Sequence, residues 1–238
     1  MPSKRVLTAL VGLPLFILLI FRGSSSLFFF SVLIVALQGQ NEFYHLLESG
    51  KERLQKFLGL LMGALLLIGF YTEDGQLVAA TISLFLILIL VFRTFSMREV
   101  AQAAKEIGVT FFGLFYVSYF LGYLILIRGQ EHGRSWIFFL FLVVWAGDTG
   151  AYYLGRRFGR YKLFPKISPK KTWEGAVGGL VCSLVASAVG RYLLFPASDL
   201  NHMVLLGGGL GLMGQIGDLA ESLLKRSSGF KDSGAVFP

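Results

Sequence analysis

Near the end of the chain, Asp218, Glu221, Ser222 and Lys225 are spaced i, i+3, i+4 and i+7, so a helix sets them on one face with Arg226 close beside it. Two acidic groups on one helical face at a membrane surface can hold a hard divalent cation through oxygen, with water and substrate phosphates completing its shell. The plainer use of the same spacing is a Glu221–Lys225 ion pair that finishes the helix, whereas Asp218 has no such partner at hand.

Two earlier stretches carry further chemistry. Asp148 lies in VVWAGDTGAYYLG, with apolar sequence before it back to Trp136. A carboxylate at the centre of a bilayer costs about 2.5–3.5 kcal/mol on an insertion scale, so Asp148 must face a polar cavity or pair with a neighbouring helix. The loop GRRFGRYKLFPKISPKKTWEG then packs Arg156, Arg157, Arg160, Lys162, Lys166, Lys170 and Lys171 into one short connection. Part of that density is the ordinary cytoplasmic excess of Lys and Arg. Within it, SPKKTWEG offers the Ser168 and Thr172 hydroxyls and the mobile charge of Lys171 where the next helix opens, and the first N–H groups of a helix favour an anion. This is the outline of a phosphate cradle, without the Gly-x-x-x-x-Gly-Lys-Ser/Thr pattern of a Walker loop. His45, His132 and His202 sit at span edges and form no catalytic pattern, and Glu42 closes an apolar run in a structural position. Cys182 is the only cysteine, which excludes an intrachain disulfide and a cysteine metal cluster.

The elements that must position these groups are membrane helices. Hydrophobic residues make up 55% of the 238 and charged residues 15%, against about a quarter charged in a soluble domain. Eight apolar runs follow one another: Val6 to Phe21, Leu27 to Tyr44, Phe57 to Tyr71, Leu77 to Phe92, Ile107 to Ile127, Ser135 to Leu154, Gly175 to Phe195 and Met203 to Leu219. Several fall short of the 20 or so residues a perpendicular helix needs, so their ends borrow polar flanks. The first run follows Lys4 and Arg5 as a signal peptide would, but the small residues from Gly23 to Ser26 lead straight into another apolar run, which marks a retained anchor. An all-α, polytopic integral membrane protein of about eight spans is expected.

With the N-terminus inside, all but four of the 22 Lys and Arg residues fall on the cytoplasmic side, the exceptions being Arg22, Arg128, Arg134 and Arg191. The net charge of +8 therefore sits in short loops between spans rather than along a soluble face. That distribution argues against nucleic acid and for membrane lipids and phosphorylated substrates as partners. Residues 1–134, rich in Leu, Ile and Phe with plain loops, read as scaffold; residues 135–238, where polar residues and glycine enter the spans, read as the catalytic region of the same single membrane domain. The glycines of GAVGGL and LLGGGLGLMG read first as close helix packing.

GDTGAYYLGRRFG, KISPKKTWEG and above all GDLAESLLKRSSGFKDSGAVFP resemble the phosphatidate cytidylyltransferases, or CDP-diacylglycerol synthases. The family signature S-x-x-K-R-x-x-x-x-K-D falls on Ser222, Lys225, Arg226, Lys231 and Asp232. The resemblance covers the second half of the chain by motif and the first half only as a multispan segment. It implies transfer of the cytidylyl group of CTP to phosphatidate, giving CDP-diacylglycerol and pyrophosphate in phospholipid synthesis. Such a reaction needs charge neutralisation more than a strong base, because the attacking phosphate oxygen is already ionised. The implied roles are Asp218 as leading Mg2+ ligand, with Asp148 and Asp232 as further metal or nucleotide-pocket acids and room for a second metal ion. Ser168, Lys171 and Thr172, with Glu221 and Ser222 nearby, would hold triphosphate, and Lys225, Arg226 and Lys231 would receive the lipid phosphate or the leaving group. The implied setting is the inner membrane of a bacterium, with the N-terminus and catalytic loops cytoplasmic and a homodimer left open.

In the family the last motif runs on past Pro238 into a Gly-His-Gly-Gly segment, an Asp-Arg-x-Asp cluster and a further span. The resemblance thus implies a C-terminally truncated form with an incomplete metal site and little turnover by itself. Two other readings stay open on the residues. A related CTP-dependent lipid enzyme, such as a polyprenol kinase or an ether-lipid CDP synthase, could use the same basic, metal-bound site. An anion transporter could line its path with Asp148 and glycine-broken spans, although the paired repeats common in transporters are absent.

Overall fold

The computed structural model describes residues 4–47, 53–96 and 100–228. They form α1 (Lys4–Arg22), α2 (Ser25–Leu46), α3 (Arg53–Tyr71), α4 (Gly75–Phe95), α5 (Val100–Gly113), a π-helical segment (Leu114–Tyr119), α6 (Phe120–Gly129), α7 (Gly133–Phe158), strands β1 (Lys162–Phe164) and β2 (Ser168–Thr172), α8 (Trp173–Leu194) and α9 (Leu200–Ser227). Among the described residues six helices are long and apolar enough to cross a membrane: α3, α4, the continuous rod from α5 to α6, α7, α8 and α9. The all-α membrane architecture expected from the apolar runs is present, while the count of eight is not reached by that measure. α2 is long enough, but Gln38, Gln40, Asn41 and Glu42 dilute its apolar character. The helices carry exposed Leu, Ile, Val and Phe on their outer faces, as in Leu84, Leu86, Ile87 and Leu90 of α4, because acyl chains rather than water are the outer solvent.

The chain divides into two compact units, the first running through Arg134 and the second from Ser135. In the first, α2, α3, α5 and the π-helical segment enclose a polar network inside an apolar core. The Gln40 side-chain amide donates to the Tyr44 hydroxyl at 2.7 Å and to the Gly59 carbonyl at 2.8 Å, while its oxygen accepts from Ser118 at 2.6 Å. The Tyr44 hydroxyl donates to the Thr110 carbonyl at 3.1 Å, and Gln55 donates to the Thr110 hydroxyl. Arg93 and Glu106 form a mostly buried ion pair near the end of the same network. Gly59 and Gly63 make room for it, since a Cβ at either would strike Tyr44 or Gln40. Ser118 lies in the π-helical segment, where the ordinary hydrogen-bond ladder widens.

The second unit packs through small residues. A Cβ at Gly147 would strike Ser183, one at Gly150 would strike Cys182, and one at Gly207 would strike Ser187. The hydroxyls there also hold backbone: Ser183 donates to the Val143 carbonyl at 3.1 Å and Ser187 to that of Met203. At one end of this unit Phe139, Val143, Phe195 and Met203 form a buried cluster, with Trp136 4.2 Å from the Phe195 ring. The other end is left to the hairpin.

Candidate active site

The basic loop is structured, which its composition did not reveal. Lys162–Phe164 and Ser168–Thr172 form an antiparallel hairpin with an irregularity in register, closed by an Ile167 N–H bond to the Phe164 carbonyl at 3.1 Å. Its base is tied to α8 twice: the Trp173 N–H donates to the Tyr161 carbonyl at 3.0 Å, and the Glu174 carboxylate accepts from the Tyr161 N–H at 3.2 Å. The segment SPKKT, expected to open a helix, is therefore a strand that ends at the helix cap. Extended backbone at Thr172 lets its hydroxyl accept from the Gly175 N–H at 3.2 Å. As cap, that hydroxyl has only its proton left to give an anion.

α7, the hairpin, α8 and α9 enclose a cavity of about 1060 Å³, at the upper end of the range for small-molecule sites. Asp148, Ser168, Lys171, Thr172, Asp218, Glu221 and Ser222 all line it. Seven residues singled out in the sequence thus come together from three elements, α7, β2 and α9. The close approach of α7 to α8 that shapes the floor depends on Gly155 and Gly175: a Cβ on Gly175 would lie 2.8 Å from the Ala151 carbonyl oxygen and 3.0 Å from the Gly155 Cα.

Asp218 does have a partner, from across the cavity. Lys171 Nζ stands 2.7 Å from its carboxylate, with the Asp218 side chain 54% and the Lys171 side chain 23% exposed. The charges of Asp218 and Lys171 both act on Asp148. Glu221 makes the anticipated bond to Lys225, at 2.6 Å, which draws the Lys225 ammonium back along its own helix. Lys225 and Arg226 do not line the cavity; Arg226 Nε reaches the Ile167 carbonyl of the hairpin turn at 3.4 Å. Lys231 and Asp232 lie outside the described residues.

Sequence reading missed Gln215 and Tyr152 on the cavity wall, and it named Arg156, Lys162 and Lys170 in the basic loop without giving them a place in the site. Gln215 was within reach, because it precedes Asp218 by three residues on the same helical face; its amide donates to the Ala176 carbonyl at 2.9 Å and fastens α9 to α8. Among the described residues no group of three or more His, Cys, Asp or Glu is gathered as a ready metal cage. Two carboxylates, Asp148 and Asp218, with hydroxyls beside them, are all-oxygen donors. They fit a magnesium ion of the kind that takes one or two protein carboxylates and fills its remaining positions from substrate phosphates and water.

The sequence model of the cytidylyltransferase family matches residues 3–238. The chain belongs to that family. Among curated members, the phosphatidate cytidylyltransferase of Bacillus subtilis (strain 168) is 33% identical over 245 residues, covering 99% of this chain and 88% of the relative. That of Staphylococcus saprophyticus is 34% identical, over 98% of this chain and 89% of the relative. That of Staphylococcus haemolyticus is 35% identical with the same two coverages. The likeness thus extends through both units of the chain, including the first, where no motif had stood out.

Proposed function

We propose that this protein transfers the cytidylyl group of CTP to phosphatidate, releasing pyrophosphate, at the cavity between α7, the hairpin, α8 and α9. The observation that carries the reading is the meeting of Asp148, Lys171, Asp218 and the capped start of α8 in one cavity, in a chain whose family relatives bear that activity as their name. An ionised oxygen of the lipid phosphate attacks the α-phosphorus of CTP; a P–O bond forms there as the bond to the β-phosphate oxygen breaks, and pyrophosphate leaves with the electron pair. No side chain has to remove a proton, so the absence of histidine from the cavity wall fits the chemistry.

What this chain must do is bring polyanions together. Lys162, Lys170 and Lys171 give the hairpin wall a positive field, and Ser168 and the Thr172 hydroxyl proton add hydrogen bonds to phosphate oxygens. Lys171 serves a phosphate only by loosening its hold on Asp218. Magnesium held by Asp218 and Asp148, when bound, would offset the charge of the triphosphate and the departing pyrophosphate. Lys225, Arg226, Lys231 and Asp232 are assigned to the lipid phosphate and leaving group on the family signature alone. The protein works as an integral membrane enzyme, with its N-terminus and hairpin on the cytoplasmic side of a bacterial membrane, where CTP is found.

Purified protein in detergent, given phosphatidate and CTP labelled at either the α- or the γ-phosphate, tests the reading. α-Label in the lipid and γ-label in pyrophosphate are expected, without any sealed compartment. γ-Label in the lipid would make it a kinase, and no lipid product would leave the transporter reading.

A further inference from the structure

A second groove, of about 640 Å³, lies at the C-terminal end of α7, lined by Tyr153, Leu154, Arg156, Arg157 and Phe158. Arg156 lines both this groove and the reaction cavity, so one residue forms part of both walls. An N–H of Arg156 donates to the Tyr152 hydroxyl at 3.2 Å, and the Arg157 guanidinium sits 5.5 Å from the centre of the Phe158 ring. Among the described residues no carboxylate lines the groove wall to pair with either arginine.

The groove also sits at a telling depth. α7 has 26 residues, so it extends about 39 Å, some 9 Å more than a hydrocarbon core of about 30 Å. Its last turn carries Arg156 and Arg157, which a hydrocarbon core excludes, so that turn belongs at the level of the headgroups. Tyr153 and Phe158 are well exposed there, as amphipathic and aromatic side chains are at a membrane interface. Apolar side chains beside two arginines are complementary to a bilayer lipid whose headgroup is a phosphate: acyl chain against Leu154 and Phe158, phosphate against the arginines.

We propose that this groove is the docking site for a phosphate-headed bilayer lipid on its way to the reaction cavity, with Arg157 making first contact and Arg156 receiving the phosphate from it. The occupant is a membrane lipid and not a free phosphate, because the groove pairs two arginines with apolar and aromatic side chains in the last turn of a membrane helix. The proposal rests on the reading of phosphatidate as substrate, but its test does not depend on turnover.

Arg157 borders the groove only, which makes it the residue to change. Lipid retained by purified protein, wild type, Arg157→Gln and Arg157→Lys, is measured by native mass spectrometry after incubation with phosphatidate or phosphatidylcholine, with and without millimolar inorganic phosphate. Wild type should prefer phosphatidate, Arg157→Gln should lose about tenfold of that preference, and Arg157→Lys should recover part of it. In turnover assays the KM for phosphatidate in mixed micelles should rise about tenfold in Arg157→Gln while the KM for CTP holds. Unchanged retention and unchanged lipid KM in Arg157→Gln would overturn the proposal, as would ready displacement of the lipid by inorganic phosphate. Arg157-dependent retention in a protein that makes no CDP-lipid would leave the groove standing and bring down the proposed reaction instead.

Discussion

Replacing Asp218 with Asn removes one charge and almost no volume, and the structure separates what that should do to stability from what it should do to rate. The carboxylate is paired with Lys171 at 2.7 Å but is 54% exposed, so solvent screens the pair and its loss should cost about 1 kcal/mol or less of stability. Insertion, solubility in detergent and elution volume should hardly change. If Asp218 instead acts on charge developing between triphosphate and lipid phosphate, its loss should resemble removal of one preorganised electrostatic group, about 10²–10³ in kcat, or about 2.7–4 kcal/mol. The two expectations differ enough to be told apart. The assay follows labelled CTP into lipid across a magnesium titration for the wild type, Asp218→Asn, Lys171→Met and the double variant, with nucleotide binding measured alongside. Asp218→Asn should bind CTP weakly and lose its response to magnesium. If Asp218 served only to hold Lys171, the two single variants would lose equally, the double would lose no more than either, and magnesium dependence would survive. That pattern, or near-normal turnover in Asp218→Asn, would refute the assignment.

Gly175→Ala should lower both thermal stability and activity, because its Cβ would press on the Ala151 carbonyl and the Gly155 Cα, backbone atoms that cannot swing aside; an unfolding midpoint and a turnover rate equal to wild type would show that the α7–α8 approach is not tight. Gln40→Leu should destabilise by about 1–3 kcal/mol for each buried partner left unsatisfied among Ser118, Tyr44 and the Gly59 carbonyl, with the KM values for CTP and phosphatidate unmoved; thermal unfolding and kinetics together check it. A cysteine at Lys162, in a variant lacking Cys182, should react with an impermeant reagent only from the cytoplasmic side, and labelling from outside would overturn the orientation drawn from the charge distribution.

Several features were readable because the bilayer enforces them residue by residue. Runs such as Leu77 to Phe92 announce a helix, since a segment without water must satisfy its own backbone. Helical spacing likewise puts Asp218, Glu221 and Ser222 on one face, and they share one wall of the cavity. The Glu221–Lys225 pair was equally local. By contrast, SPKKT carries no periodicity that tells a strand from the first turn of a helix; its pairing with β1 and the bonds of Tyr161 with Trp173 and Glu174 hold it as a hairpin. Nothing in its neighbours shows that Asp218 meets Lys171, 47 positions earlier, or that Gln40 accepts from Ser118, 78 positions later. Gly155 and Gly175 read as packing glycines in general, but which helix each one admits depends on the crossing of α7 and α8. The sequence by itself determined the membrane helices and the chemical types needed for phosphate and cation. Which of those groups face one another was decided by the tertiary structure, because pairings between helices arise from how their surfaces fit, and that fit is not written into the spacing along any one of them.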